Sequence, residues 1–363
     1  MTRKRLGEQV RIVGSGLLGA SIGLGLRQHG VDVAIDDNSP SALQLAVDYG
    51  AGRVARDDDA PGLIVVAVPP DVTARVVAAE LLRYPDALVT DVASVKMAPL
   101  NALREAGADV SRYLGTHPMA GRERGGPIAA RADLFIGRPW VLAGHDEISY
   151  QRAAAIEDLI LDLGAVPIEM SVEEHDESVA LVSHVPQLVS SLMAARLRDG
   201  RPGALRLAGQ GVRDVTRIAA SDPELWVQIL GANAANSATV LRELSADLAR
   251  VIDALENPGV AGSRRILAET MTAGNAGSAM LPGKHGQDRT FAQLVVKIDD
   301  TPGELARLLS EIGDAGVNME DLRLEHSPGA HIGLAEISVL PEVEEKLVAE
   351  LEERGWKIAG AYL

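Results

Sequence analysis

The stretch that decides the fold is Val10-Arg11-Ile12-Val13-Gly14-Ser15-Gly16-Leu17-Leu18-Gly19-Ala20-Ser21-Ile22-Gly23-Leu24. Four strand-forming residues run straight into a G-x-G-x-x-G turn that opens a helical stretch. In that setting Gly14 allows the tight turn and Gly16 lets backbone N–H groups approach a pyrophosphate at the helix N-terminus. Gly19 permits close helix-to-strand packing, with Ser15, Leu17 and Leu18 completing the loop. The second β-rich run ends in Asp36, 20 residues after Gly16. A carboxylate there can accept both ribose hydroxyls and repels a 2′-phosphate, which favours NAD over NADP. Asp37 and Asn38 follow, and neither is basic.

Outward from this turn, short β-rich runs alternate with helical ones: VRIV (10–13), VDVAI (31–35), LIVVAV (63–68), ALVTDV (87–92), YLGTH (113–117) and PWVLAG (139–144). The pattern predicts an α/β Rossmann domain over residues 1–148, an open parallel sheet with helices on its faces. Val68 and Pro69 close the third run and are expected to line the cofactor crevice. From about Tyr150 long helical stretches follow, with no sheet-like alternation of comparable length, so residues 149–257 read as an all-α domain. Residues 258–289, rich in Gly, Ala and Ser, read as a linker. Residues 290–363 return to a β-α-β-β-α-β order, the split βαβ of a small ferredoxin-like α+β domain.

Composition sets outer bounds. The 363 residues include no cysteine, so disulfides, thiol nucleophiles and thiolate metal sites are excluded, which fits a reducing cytoplasm. Redox chemistry requires a borrowed cofactor. Lys and Arg number 35 against 51 Asp and Glu, a formal net charge of −16, which argues against nucleic-acid or anionic-membrane partners. The excess is concentrated in residues 291–363, with 15 acidic and 6 basic side chains. No 18-residue uninterrupted apolar run is present to span a bilayer, and the glycine-riddled segment after MTRKR reads as folded protein.

Two segments at successive strand ends carry the polar chemistry: Asp91-Val92-Ala93-Ser94-Val95-Lys96 and Gly115-Thr116-His117-Pro118-Met119-Ala120-Gly121-Arg122-Glu123. Carboxyl ends of parallel strands border the binding crevice, so His117 is expected beside the cofactor as a base, with Ser94 near enough to orient it. Downstream, Asp176, His184 and Gln187 give an otherwise apolar helix one polar face. His175 and Asp176 stand among Glu173, Glu174 and Glu177, but consecutive helical residues splay apart, and no metal site is expected. Arg213 and Arg217, four apart on one predicted helix, suit a dicarboxylate.

Taken in order, GSGLLGAS, DVASVK, GTHPMAGRE, EEHDESVALVSHVPQ, GVRDVTRIAASDPELW and the terminal small domain resemble the prephenate dehydrogenase (TyrA) family nearly end to end. The resemblance implies NAD-dependent oxidative decarboxylation of prephenate to 4-hydroxyphenylpyruvate in tyrosine biosynthesis, by a cytoplasmic enzyme. His117 would assist deprotonation of the ring hydroxyl, with Ser94 orienting it. Arg217 would bind the ring carboxylate, Arg213 and Trp226 would shape the side-chain pocket with His184 and Gln187, and Glu123 and Asp176 would act as gating or network residues. Many relatives have histidine where this chain has Gln187, which keeps arogenate open as the substrate. The helical domain implies a homodimer. The terminal domain is similar to an ACT domain, with Asp300, Pro302, Gly303, Glu304, Leu305 and Asn318 framing an aromatic amino-acid effector. A non-catalytic amino-acid sensor and a different two-domain dehydrogenase are the other readings; an intact catalytic set argues against the first and the THPMAG segment against the second.

Overall fold

The computed structural model describes residues 5–7, 9–121, 125–281, 291–326 and 332–362, so Glu123 lies outside the described residues. The chain divides into two compact units, residues up to 199 with 215–244, and residues 200–214 with 245–363.

In the first unit, strands β1 (Val10–Val13), β2 (Val33–Asp36), β3 (Arg53–Val54), β4 (Leu63–Val66), β5 (Leu88–Asp91), β6 (Tyr113–Pro118), β7 (Pro139–Gly144) and β8 (Val166–Ser171) form one sheet. Its order is β3-β2-β1-β4-β5-β6-β7-β8. Strands β1 to β6 are parallel; β7 runs antiparallel to β6, and β8 pairs parallel with β7. Helices α1 (Leu17–Gln28), α2 (Pro40–Asp48), α3 (Pro70–Arg83), α4 (Met97–Glu105) and α5 (Tyr150–Asp162) connect them. Both faces of the sheet are covered, which explains why β4 reads as a continuous apolar run and why Arg11, the one charged residue of β1, is itself buried. One face packs Val10, Ile12, Val33, Leu63, Ile156 and Trp140; the other packs Ile64, Val66, Val77, Val89 and Leu100. Each such burial stabilises by about 1.5–3 kcal/mol.

The sheet continues beyond residue 148, the boundary expected from sequence. Strand β8 and helix α5 belong to it, so the segment after Tyr150 contains the strand that alternation did not reveal. Val166-Pro167-Ile168-Glu169-Met170-Ser171 is an edge strand with exposed side chains and a proline, tolerated because an edge need not use every N–H. Two-residue β3 was also too short to signal.

Beyond the sheet come α6 (Val172–Val179), α7 (Val185–Leu197), α8 (Pro202–Leu205), α9 (Gln210–Thr216), α10 (Pro223–Ala232), α11 (Ala234–Glu256) and α12 (Ser263–Ala279). The last corrects the expected linker: residues 263–279 are helical, because glycines at 274 and 277 lower helix propensity without forbidding a helix. Residues 282–289 of that linker lie outside the described set. Helices α6 and α7 make one 26-residue helical run, Val172–Leu197. Among the described residues it is the element long and apolar enough to cross a membrane by length and composition. It buries His175, Asp176, His184, Gln187 and Ser190, a polar cargo that marks a core helix carrying a site.

The second unit contains β9 (Ala292–Asp299), α13 (Glu304–Asp314), β10 (Asp321–His326), β11 (Ile332–Val339), α14 (Pro341–Glu353) and β12 (Lys357–Tyr362). Its antiparallel sheet has the order β10-β11-β9-β12, the split βαβ arrangement expected from sequence. Along β9 alternate residues Ala292, Leu294, Val296 and Ile298 turn inward to meet Leu308, Ile337, Leu347 and Trp356.

Candidate active site

The glycine turn fits a dinucleotide. Gly14 has φ +102°, and a Cβ on it would collide with the Ala67 carbonyl; one on Gly19 would collide with the Gly14 carbonyl. Around Gly16 there is open space, and Gly16 caps α1 with no side chain, leaving the first N–H groups of Leu17 and Leu18 free of a side-chain acceptor for a phosphate. Ser15 is buried, and Val68 and Pro69 follow β4 directly.

At the end of β2 the structure departs from the expectation for Asp36. Its carboxylate is drawn 2.5 Å onto buried Arg11, which Glu80 of α3 clamps at 2.8 and 3.2 Å. Asp37 instead accepts Ser15 N–H at 2.6 Å and Ser15 Oγ–H at 2.7 Å, placing its carboxylate against the glycine turn. Successive residues of an extended chain point to opposite faces, so counting residues along the chain could not choose between the two.

His117 stands near the carboxyl end of β6, 8% exposed. Its Nδ1 lies 2.9 Å from His175 Nε2, and His175 Nδ1 lies 2.7 Å from Asp176 Oδ1. The Asp176 carboxylate also accepts the Lys96 and Met97 N–H groups, both at 2.9 Å, capping the start of α4. This pair comes from α6, whose position is set by a reciprocal capping box. Ser171 Oγ accepts Glu174 N–H and Glu174 Oε2 accepts Ser171 N–H. Because Ser171 is also the last residue of β8, strand and helix join without a loop and aim His175 at β6. Ser94 is half-buried after β5; among the described residues the hydrogen-bond partner of His117 is His175 and not Ser94.

Beneath His117 lies a fully buried ion pair. Lys96 Nζ donates to Asp91 Oδ1 at 2.5 Å and to the Thr116 carbonyl at 2.7 Å, and Tyr113 Oη–H donates to Asp91 Oδ2 at 2.7 Å. Burial lowers the Lys96 pKa despite the pull of Asp91. Burial first, then unfavourable electrostatic interaction with His175, Lys96 and His184, hold His117 well below the usual 6.5. Burial would raise Asp176, but hydrogen bonds from His175 and the two backbone N–H groups outweigh it and keep the group below the usual carboxylate value.

A π turn at Ala180–His184 joins α6 to α7. Pro186 has no N–H and its ring crowds the carbonyl four residues back, and the wider turn just before it relieves this. His184, 1% exposed, receives an Asn233 Nδ2 contact at 3.2 Å on Nδ1, while Asn233 also donates to the Asp176 carbonyl at 2.6 Å. Its Nε2 has no hydrogen-bond partner among the described residues. Burial lowers its pKa to about 4. Trp226 stands edge-on to it, ring centroids 6.1 Å apart.

Gln187 is not a free pocket group. Its Nε2 donates to the Ile218 carbonyl at 2.9 Å, bracing the turn that carries Arg217, while Ser221 Oγ, 3.4 Å from its Oε1, donates its one hydrogen to the Ile218 carbonyl at 2.7 Å. The expected shared face of Arg213 and Arg217 is not formed on one helix: α9 ends at Thr216 and Arg217 opens a 3₁₀ turn, Arg217–Ala219. Both arginines are exposed, and Arg213 belongs to the second unit.

In that unit Asp300, Pro302 and Gly303 are exposed and precede α13, with Gly303 at φ +97°. Glu304 pairs with Arg307 at 2.8 Å, Leu305 packs on the small core, and Asn318 Nδ2 donates to Glu320 at 3.3 Å. Among the described residues a three-residue cluster with metal-ligand atoms, His145-Asp146-Glu147, already spends His145 on the Tyr113 carbonyl and both carboxylates on Arg104.

Sequence reading missed His175, Asn233, Lys96 and Asp37 as site residues. The signal for His175 was present in the capping-box pattern Ser171-Val172-Glu173-Glu174, which fixes its place in the first turns of α6. Nothing in the sequence placed Asn233, 49 residues from His184.

Residues 22–169 match the family model described as prephenate dehydrogenase, nucleotide-binding domain, and residues 171–272 match prephenate dehydrogenase, dimerization domain. The chain is 38% identical over 358 residues to "Probable prephenate dehydrogenase NovF" of Streptomyces niveus, covering 95% of this chain and 98% of that protein. Among solved structures it is similar to prephenate dehydrogenase from A. aeolicus in complex with hydroxyphenyl propionate and NAD+. That likeness has a TM-score of 0.67 and 26% identity, over 75% of this chain and 99% of that one. It is also similar to Synechocystis arogenate dehydrogenase, with a TM-score of 0.62 and 25% identity, over 74% and 99%.

Proposed function

The chain belongs to the prephenate dehydrogenase family, and from that premise we propose that it is an NAD-dependent enzyme that oxidatively decarboxylates prephenate to 4-hydroxyphenylpyruvate, with His117 as its base. The observation that carries the reading is a buried histidine at a strand end of a dinucleotide-binding sheet, held neutral, with Nδ1 engaged and Nε2 left for substrate. Bound NAD, held by Gly14 to Gly19, would supply the acceptor for the hydride of the ring carbon that bears the hydroxyl. His117 accepts the hydroxyl proton as carbonyl character develops on that carbon, and the proton returns to the same oxygen once loss of carbon dioxide has made the ring aromatic. No proton is consumed overall. Arg217 binds the ring carboxylate as a planar two-pronged donor. His184 and Trp226 hold the side chain, Ser94 lies by the nicotinamide, and Gly14 to Gly19 with Val68 and Pro69 hold the cofactor. Asp37 takes the adenine ribose, the role first given to Asp36.

Arogenate is the rival substrate, and its case rested on a neutral Gln187 facing the side chain. With its Nε2 committed to the Ile218 carbonyl, Gln187 is held on the Arg217 turn, and the argument loses part of its support. The exposed stripe Leu244, Leu248, Ile252 and Leu255 along α11 supports a homodimer through the helical domain. The split βαβ module with Gly303 opening α13 supports an ACT domain that binds an aromatic amino acid. The whole reads as a cytoplasmic, soluble biosynthetic enzyme. Absorbance of reduced nicotinamide, with NAD and either prephenate or arogenate, tests the assignment: turnover of prephenate is expected, and turnover of neither substrate overturns it.

A further inference from the structure

We propose that His175 and Asn233 are positioning residues that fix His117 and His184 in opposite tautomers, so that the pocket presents one imidazole Nε2 as a proton acceptor and the other as a hydrogen-bond donor.

The argument starts at Asp176. An ionised carboxylate only accepts, and this one already takes the N–H groups of Lys96 and Met97. Its contact with His175 Nδ1 therefore places a proton on that nitrogen. A neutral His175 must then accept at Nε2, and among the described residues the group facing it there is His117 Nδ1. His117 thus carries its proton on Nδ1, and its Nε2 holds a lone pair. That is the form a base for a ring hydroxyl requires. The edge-on ring geometry, 5.1 Å between centroids at 71°, suits an in-plane hydrogen bond between the two imidazoles.

His184 is set the other way. Asn233 Nδ2 can only donate, giving one hydrogen to the Asp176 carbonyl and the other to His184 Nδ1. The orientation of that amide is anchored by Asn236 Nδ2, which donates to Asn233 Oδ1 at 3.0 Å. A neutral His184 with Nδ1 accepting carries its proton on Nε2, the buried atom without a partner. It therefore offers a donor to a carbonyl or carboxylate oxygen. A ligand with a hydroxyl at one end and a keto acid at the other meets an acceptor and a donor in matching order. Asp176 ties the two halves together, its carboxylate holding His175 and its backbone carbonyl holding Asn233.

The inference deepens the reading of His117 as the base and rests on it, but its test does not depend on turnover. In the full-length chain labelled with ¹⁵N-histidine, long-range ¹H–¹⁵N correlation at neutral pH should show His117 protonated on Nδ1 and His184 on Nε2. His175→Gln supplies an amide oxygen for His117 Nδ1–H and an amide N–H for Asp176. It should keep the His117 tautomer and stay within about tenfold of the native kcat. His175→Leu removes the acceptor, and it should shift His117 toward the Nε2–H form and lower kcat by about 10² to 10³ with KM little changed. Asn233→Ala should release the His184 tautomer and act mainly on KM. A native His117 with its proton on Nε2, as a cationic His175 would impose, overturns the proposal; so does a His175→Leu protein with unchanged tautomer and kcat. If that variant does not fold, the native spectrum and the Gln variant still decide. Correct tautomers without turnover would count against the assigned reaction and leave this inference standing.

Discussion

At the scale of single residues, burial does most of the chemical tuning. The base proposed at His117 works in its neutral form, and burial, with unfavourable electrostatics from His175, Lys96 and His184, keeps its pKa well below 6.5. The acid limb of the kcat/KM profile should therefore lie well below pH 6.5; an acid limb centred at an ordinary histidine value would contradict the environment described. The same burial costs stability. His184 titrates near 4 when folded and near 6.5 when unfolded, so the unfolded chain binds the proton first. Stability should fall as pH drops from 6.5 toward 4, then level for this group, as denaturant melts at stepped pH would show. Lys96→Met would strand Asp91 without its counter-ion in a fully buried site, a loss of about 3–5 kcal/mol by chemical denaturation. For Gln187→Ala, the Arg217 turn loses the brace to the Ile218 carbonyl, about 0.5–1.5 kcal/mol, so KM for the substrate should rise roughly two- to tenfold with kcat less affected.

At the scale of elements, the decisive junction is Ser171, at once the end of β8 and the N-cap of α6. Ser171→Ala removes half of the capping box and should cost about 1 kcal/mol in thermal denaturation. Because His175 sits just inside that first turn, kcat should fall as well, whereas a purely structural cap would lower the melting temperature and leave kcat intact. Local signals were enough to find most of these elements. The β-rich runs at 10–13, 63–66 and 139–144 were readable because strands buried on both faces need mostly β-branched and aliphatic residues, with Arg11 the charged exception in the first. The edge strand β8 escaped because Pro167 and Glu169 are permitted only where one side of the strand meets solvent, and edge position is a property of the whole sheet. Helix α12 escaped for the opposite reason, since small residues resembling a linker formed a helix once neighbouring turns were available.

At the scale of the whole molecule, the acidity has a place. More than half of the net charge lies in residues 291–363, a fifth of the chain, and in the rest the α1 N-terminus and Arg217 can attract anions at short range. The small module has its own core, Leu294, Val296, Leu308, Ile337 and Trp356, separate from that of the large sheet. Calorimetry should accordingly show heat of tyrosine or phenylalanine binding to the full chain that disappears when residues after Leu281 are deleted, with NAD reduction retained. Equal heats in both proteins would remove the sensing role.

By itself the sequence determined the αβ alternation, the glycine turn, the terminal βαββαβ order, and His117 at a strand end. Each of these follows from periodicity or from chemistry contained within a few consecutive residues. The tertiary structure decided which side chains meet. It paired His117 with His175, 58 positions away, and His184 with Asn233, 49 away. It turned Gln187 from a pocket wall into a brace, and it set Asp37 against the glycine turn while Arg11 took Asp36. The physical reason is that the protonation pattern of a buried imidazole depends on the partners that surround it once water is gone, and those partners come from segments that only the folded chain brings together.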